Sequence, residues 1–303
     1  MGKETHERML CMLFIVNDTA CSGRAGAKFD EVQTLLKQKC VAYRVEYTKY
    51  RGHAKELARE AAEKGENTVI AVGGDGTVRE VACGLAGSEV CMGILPMGTG
   101  NDYVKSHKIP EEAEAALDCV LRGHVQNTDA CMLNGEYFFN VAGMGFDVDV
   151  LVETERYKDK HMPYFRGIIS AIAHRKPLFL RITTDGETEE GKYLIVNIAN
   201  GKYFGGGMKV APNADPNDGL FDVIIIKYVS LWNFLWLLPT FIKGKHVKHK
   251  RFVKVKHARK VIIEHLMKEE YPIQMDGEID GITPGRFEIL HGGLKLITPE
   301  VQG

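Results

Sequence analysis

Apolar positions along the chain fall into two regimes. Residues 9–16, 41–47, 69–72 and 90–95 are short runs rich in β-branched side chains, which predicts strands. Between them, 28–39 (apolar at Phe29, Val32, Leu35 and Leu36), 55–64 and the stretch resuming at Val78, Val81 and Leu85 carry apolar residues at helical spacing. Strand and helix alternate, so the expected N-terminal half is a doubly wound parallel-sheet α/β domain with right-handed crossovers, closed by a helix at 111–121. After Arg122-Gly123-His124 the pattern changes to short runs at 125–133, 137–142, 178–184, 193–200, 220–227, 252–256, 261–265, 271–275, 286–290 and 294–297. Bounded by turn residues, these predict an antiparallel, β-sandwich-like domain with helical insertions at 146–156, 164–173 and 231–242. Asn134-Gly135 is a strong hairpin signal. The expected division is 1–124 and 125–303, with the last strands free to pack back toward the first domain.

Two of the predicted strands end in glycine loops. The run at 69–72 breaks into Gly73-Gly74-Asp75-Gly76-Thr77-Val78-Arg79, and the run at 90–95 ends in Pro96-Met97-Gly98-Thr99-Gly100-Asn101-Asp102. At a strand-to-helix turn the first helical N–H groups lack partners, the helix dipole favours an anion, and glycine lets a phosphate approach the main chain. Asp75 repels a bare phosphate, which suggests an intervening divalent cation or ordered water. Loops at the carboxyl ends of adjacent parallel strands line one crevice, so both can touch one nucleotide. Neither loop has the Lys-Ser/Thr ending of a P-loop or the dinucleotide fingerprint. The plainer alternative is a tight connection.

Composition narrows the classes. With 303 residues and 45 % hydrophobic content the chain can build two cores, and its net charge of −1 gives no global attraction to nucleic acid, which is not expected as a partner, or to an anionic membrane, so that any such attraction must come from local patches. Seven cysteines, all in the first half and without a Cys-x-x-Cys pair, predict reduced, mostly buried thiols in a cytoplasmic protein. The polar start and the short apolar run after it predict no signal peptide, and His6 stands where a myristoylation start requires Ser or Thr. The longest apolar stretch, 231–242, contains Asn233 and Pro239 and falls well short of the roughly twenty residues that span a bilayer.

Three further segments carry chemistry. Pro212-Asn213-Ala214-Asp215-Pro216-Asn217-Asp218-Gly219-Leu220 places carboxylates in a turn-rich loop before a strand; Asp215, Asp218 and the Leu220 carbonyl suit Mg²⁺, and Asx turns are the alternative. Asp276-Gly277-Glu278 sets two carboxylates two apart, able to share a face if a strand continues through Gly277. One carboxylate can take a hydroxyl proton in phosphoryl transfer; spacing does not separate Asp276 from Glu278. The 231–242 segment holds both tryptophans and leads into Lys243, Lys245, Lys248, Lys250 and Arg251. It reads either as an interfacial membrane helix or as a buried connecting helix.

Gly73-Gly74-Asp75-Gly76-Thr77 followed by Leu95-Pro96-Met97-Gly98-Thr99-Gly100-Asn101-Asp102 resembles the catalytic domain of the diacylglycerol kinase family, and the chain is most similar to its soluble bacterial, sphingosine-kinase-like members. The first motif alone also occurs in NAD kinases and phosphofructokinases. The resemblance implies an ATP- and Mg²⁺-dependent lipid kinase with its active site in the cleft between the domains, giving phosphatidic acid or an analogue. It implies nucleotide binding through Asn17, Ser22, Thr48, the span Gly73 to Arg79, and Gly98, Thr99, Gly100, Asn101 and Asp102. It also implies catalytic roles for Asp75, Asp276 and Glu278, with the base in Asp-Gly-Glu, and a structural Mg²⁺ at Asp215, Asp218 and Leu220. Asp18 departs from the family's Asn-Pro pair, which loosens that turn while keeping Asn17. Peripheral membrane contact and a homodimer follow as expectations. The competing readings are a soluble-substrate kinase of the NAD kinase type and a non-catalytic nucleotide-binding regulator at the membrane.

Overall fold

The computed structural model describes residues 11–18, 24–157, 162–267 and 270–300. The chain forms two compact units, Met1–Ala130 with Leu290–Gly303, and Cys131–Ile289. The first break thus falls after Ala130 rather than after His124, and a second one returns the C-terminal residues to the first unit.

In the first unit, β1 (Met12–Val16), β2 (Tyr43–Tyr47), β3 (Thr68–Gly73) and β4 (Cys91–Pro96) run parallel in the order β4-β3-β1-β2. Crossovers are made by α1 (Arg24–Gln38), α2 (His53–Glu63) and α3 (Asp75–Leu85), and α4 (Asp102–Ser106) and α5 (Ala113–Arg122) follow β4. A parallel strand covered on both faces must be apolar throughout. Accordingly β3 is buried over its last five residues, and Phe14, Val16, Ile70 and Val72 pack with Phe29, Val32 and Leu36 of α1 and Leu117 and Val120 of α5. Each such side chain contributes about 1.5–3 kcal/mol on burial. Glu112 caps α5 by accepting from the Glu114 and Ala115 amides, and Gly123 ends it in the left-handed region.

The second unit is antiparallel. It comprises the end of β5 (Val125–Leu133), β6 (Glu136–Phe138), β7 (Val141–Gly145), β8 (Leu178–Thr184), β9 (Glu187–Ala199), β10 (Phe221–Lys227), β11 (Val253–Ala258), β12 (Lys260–His265), β13 (Pro272–Met275), β14 (Glu278–Ile282) and the first residues of β15 (Gly285–Ile297). Helices α6 (Phe146–Arg156), α7 (Pro163–His174) and α8 (Leu231–Ile242) complete it. The run in β10 is apolar on both faces because it separates two cores. Val223 and Ile225 join Ala142, Val196 and Phe287, whereas Ile224 and Ile226 join Phe146, Phe234 and Leu237.

Four expectations need correction. The run at 137–142 is interrupted, β6 ending at Phe138 and β7 starting at Val141, because the Phe139, Asn140 and Val141 amides turn onto the Asp276 carboxylate. The runs at 286–290 and 294–297 are one strand, continuous through Gly292 at φ 65°, whose N–H donates to buried Asp129. A strand at 278–282, not expected, pairs with β13. The thiols are free among the described residues, but only Cys119 and Cys131 are buried and Cys40 is exposed.

Candidate active site

In the first unit the loops after β1, β2, β3 and β4 share the carboxyl edge of the sheet, where an open parallel sheet binds its ligand. The Asn17 N–H donates to the Val72 carbonyl at 3.0 Å and the Thr48 N–H to that of Val16 at 2.9 Å, which fixes both residues at this edge. Asn17 Nδ2 donates to Thr77 Oγ1 at 3.1 Å, tying the first loop to the first turn of α3. Gly73 is required beside it: a Cβ there would lie 2.5 Å from Thr77 Oγ1. Ser22 lies outside the described residues.

The two glycine loops touch. The Met97 N–H donates to the Gly73 carbonyl at 2.8 Å, and a Cβ on Gly98 would lie 2.7 Å from Gly74 Cα and 2.6 Å from Asn101 Oδ1. Asp75 joins the loops from the other direction, accepting from the Asp102 N–H at 2.8 Å. Its carboxyl is raised above the ordinary range, first by burial and then by the Asp102 charge, against the opposing pull of the Asn101, Asp102 and Tyr103 amides. Asn101, at φ 51°, donates from Nδ2 to the Gly98 carbonyl and to Glu111. Lys105 Nζ donates to the Gly100 carbonyl.

Within this group Gly76 and Thr99 are exposed, Gly74 and Asp75 half-buried, and Thr77 buried. Val78 packs inward, so only its main chain belongs to the edge, and Arg79 is half-buried. The loop amides and the N-terminus of the eleven-residue α3 form a positive main-chain concavity suited to phosphate. Glu80, which the sequence did not single out, fixes the loop after β2 by accepting from the Gly52 and Ala54 amides at 2.8 and 3.1 Å.

In the second unit Asp276 and Glu278 do not share a strand face. β13 stops at Met275, Asp276 and Gly277 take φ 52° and 92°, and Met275 pairs with Glu278 across a two-residue turn. Positive φ at both central positions is the hairpin geometry that Asp-Gly favours, so Gly277 turns the chain instead of extending it. The Asp276 carboxylate accepts from the Phe139, Asn140 and Val141 amides at 2.8, 2.8 and 3.0 Å, a set of bonds that clamps the turn. Glu278, half-buried, opens β14.

Behind the turn lies a polar cluster with no distinctive sequence signal. Gln274 Oε1 accepts from the Gly277 N–H at 2.9 Å while its Nε2 donates to Asp147 at 3.3 Å. Burial raises the Asp147 carboxyl to about 7. Asp147 also borders an apolar cavity of about 140 Å³ with Phe146, Val150, Leu194, Ile226 and Phe234.

The loop before β10 is a pair of Asx turns. Asp215 Oδ1 accepts from the Asn217 N–H and Nδ2, both at 3.1 Å, and Asp218 Oδ1 from the Leu220 N–H at 2.9 Å. Both aspartates are exposed, and the Asp218 charge helps burial to raise Asp222. Among the described residues no group of three or more His, Cys, Asp and Glu side chains is arranged to hold a metal ion. A site here therefore needs main-chain oxygen such as the Leu220 carbonyl; an all-oxygen set of two fixed carboxylates and a carbonyl suits a hard cation.

The family comparisons define the class first. Residues 11–133 match the model of the diacylglycerol kinase catalytic domain, and 140–298 match that of the YegS C-terminal NAD kinase beta sandwich-like domain. The protein is a kinase of the two-domain kind these models describe. It belongs to the diacylglycerol kinase family. The Diacylglycerol kinase of Bacillus subtilis (strain 168) is 30% identical over 288 residues, spanning 92% of this chain and 94% of that protein. The Diacylglycerol kinase of Mycobacterium tuberculosis (strain ATCC 25618 / H37Rv) is 31% identical over 256 residues, 81% of each chain. A solved structure from Bacillus anthracis str. Sterne superposes with a TM-score of 0.79 at 28% identity, covering 95% of this chain and 96% of that one.

Proposed function

We propose that the protein is an ATP- and Mg²⁺-dependent lipid kinase that transfers the γ-phosphate to the hydroxyl of diacylglycerol or a related lipid alcohol, in the cytoplasm at a membrane surface. The observation that carries this reading is the contact of two glycine loops, Gly74 against Gly98, at the carboxyl edge of a parallel sheet in a member of this family. The amides of residues 75–77 and of 98–101 take the nucleotide phosphates, with Asn17 and Thr48 alongside. Asp75 acts by fixing the second loop through the Asp102 amide.

Glu278 is assigned as the acceptor of the alcohol proton, since phosphoryl transfer to a hydroxyl needs a carboxylate that orients and deprotonates it. Asp276 is assigned to position it, its carboxylate being bonded to three amides. Asp215, Asp218 and the Leu220 carbonyl are the proposed holders of a Mg²⁺ whose charge would order the loop before β10. The apolar cavity beside Asp147 suits part of a hydrocarbon chain and favours a lipid over a soluble acceptor.

The test is transfer of ³²P from γ-labelled ATP to extractable lipid in mixed micelles of diacylglycerol, monoacylglycerol, sphingosine, ceramide and undecaprenol with Mg²⁺. A single labelled lipid is expected. If all lipids stay unlabelled while NAD is phosphorylated, the soluble-substrate alternative replaces this one.

A further inference from the structure

Helix α8 has the sequence Leu-Trp-Asn-Phe-Leu-Trp-Leu-Leu-Pro-Thr-Phe-Ile, with no charged residue. Ser230 caps it by accepting from the Asn233 amide. Phe234, Leu237 and Phe241 are buried in the core beneath, as one apolar stripe requires. The opposite side is apolar too, apart from Asn233. Trp232 is 80% exposed and Trp236 54%, and Leu231, Leu235 and Ile242 are also exposed. A helix apolar on every side is ordinarily buried on every side. Here the outer side faces out, in the second unit taken by itself.

A run of cations follows this patch in the chain. Lys243, Lys245, Lys248, Lys250 and Arg251 follow the helix and are exposed, and no Asp or Glu occurs between Asp222 and Glu264. The basic segment folds back onto the aromatic face. Trp236 packs edge-on to His249 at 4.6 Å and lies 6.5 Å from Phe252, over which the Arg251 guanidinium sits at 5.3 Å. Large apolar side chains, two indoles and a basic segment that packs on one of them through His249 and Phe252 thus lie together.

We infer that this surface is a docking site for an anionic lipid bilayer, with Leu231, Trp232, Leu235 and Trp236 entering the headgroup boundary and the lysines facing lipid phosphates. Indole rings favour that boundary because one edge is apolar and the other donates a hydrogen bond. Charge complementarity selects the occupant. A second copy docking by the same patch would set its cations against identical cations, because a twofold interface pairs a surface with itself. An anionic bilayer supplies both the apolar depth and the countercharge. The inference rests on exposure and charge alone and holds whichever acceptor the kinase uses.

Both tryptophans of the chain lie in this helix, so intrinsic emission reports on it directly. The whole protein, without ATP or diacylglycerol, is titrated with vesicles of phosphatidylcholine containing a quarter phosphatidylglycerol, with vesicles of phosphatidylcholine alone, and with a set brominated in the acyl chains. Expected are a blue shift and bromine quenching with the anionic vesicles, lost at about 1 M salt, where the Debye length is near 3 Å. Trp232→Ala, at a position with almost no intramolecular contact, is expected to weaken co-sedimentation about tenfold. Lys243→Gln, Lys245→Gln and Lys248→Gln together are expected to weaken it about a hundredfold, at roughly fivefold per cation. Unchanged emission with anionic vesicles, equal binding to neutral ones, or an emission shift that follows protein concentration instead of lipid would each overturn the assignment. Because no phosphoryl transfer is measured, failure here leaves the kinase reading standing, and failure of the lipid assay leaves this one standing.

Discussion

Replacing Asp276 and replacing Glu278 have opposite consequences. Asp276 accepts three main-chain hydrogen bonds that join the β13–β14 turn to the start of β7. Bonds to an ionised acceptor are worth about 1.5–3 kcal/mol each, so the gross loss in Asp276→Ala is about 4.5–9 kcal/mol. The carboxylate is half-buried, and water recovers a large part of this, which leaves an expected destabilisation of about 3–4 kcal/mol. Asp276→Asn keeps one acceptor oxygen and loses the charge, for about 2 kcal/mol. Urea unfolding gives the stabilities, and hydrogen exchange at the Phe139, Asn140 and Val141 amides reports the clamp itself. Glu278→Gln should change stability by less than about 0.5 kcal/mol and lower phosphoryl transfer by about 10²–10⁴. Abolished transfer in Asp276→Asn with stability and protection of the three amides unchanged would refute the clamp, and a parental rate in Glu278→Gln would remove Glu278 as proton acceptor.

Other outcomes follow from the same geometry. Gly98→Ala drives a methyl group to 2.7 Å from Gly74 Cα, so the loops separate, and ATP affinity measured by calorimetry should fall by more than about tenfold while thermal stability of the second unit holds. Asp147 has a folded-state carboxyl raised to about 7 by burial, so between about pH 4 and 7 the folded chain keeps a proton that the unfolded chain has lost. Stability should therefore decline as pH rises through that window, and Asp147→Asn should flatten the decline, as read from unfolding midpoints at pH 5 and 8. Mg²⁺ should raise the melting temperature of the parent protein, and Asp215→Asn with Asp218→Asn should remove that increment in a calorimetric scan.

Much of the architecture was legible because its signals are local. Short β-branched runs separated by helical spacing located β1 to β4 and their helices to within a few residues, and the glycine loops announced themselves by composition. What escaped depends on long-range partners. Asp-Gly reads equally as part of a strand or as a hairpin turn, and only the pairing of Met275 with Glu278 decides. The break at Phe139-Asn140 is set by an acid 136 residues away from Asn140. Asp147 and Gln274 escaped because a half-buried acid within a helical pattern looks like an exposed one until the packing around it is known. Glu80 reads as an ordinary helical surface charge, although its carboxylate fixes two amides of a distant loop.

Strand β15 gives the chain an order of assembly. Its last residues pair in parallel with β4, Lys295 with Cys91 and Leu296 with Met92, and the Thr298 amide donates to the His124 carbonyl. Ribosomal synthesis therefore makes β4 well before its outer neighbour. Residues 97–294 intervene, which at roughly 5–20 residues per second is on the order of ten to forty seconds. During that interval the nascent first unit carries an open parallel edge, the kind of template on which chains aggregate. Cutting after Leu133 would make that exposure permanent, so the catalytic-domain segment alone is expected to be sticky and poorly folded, and supplying residues 285–300 as a separate peptide is expected to rescue it.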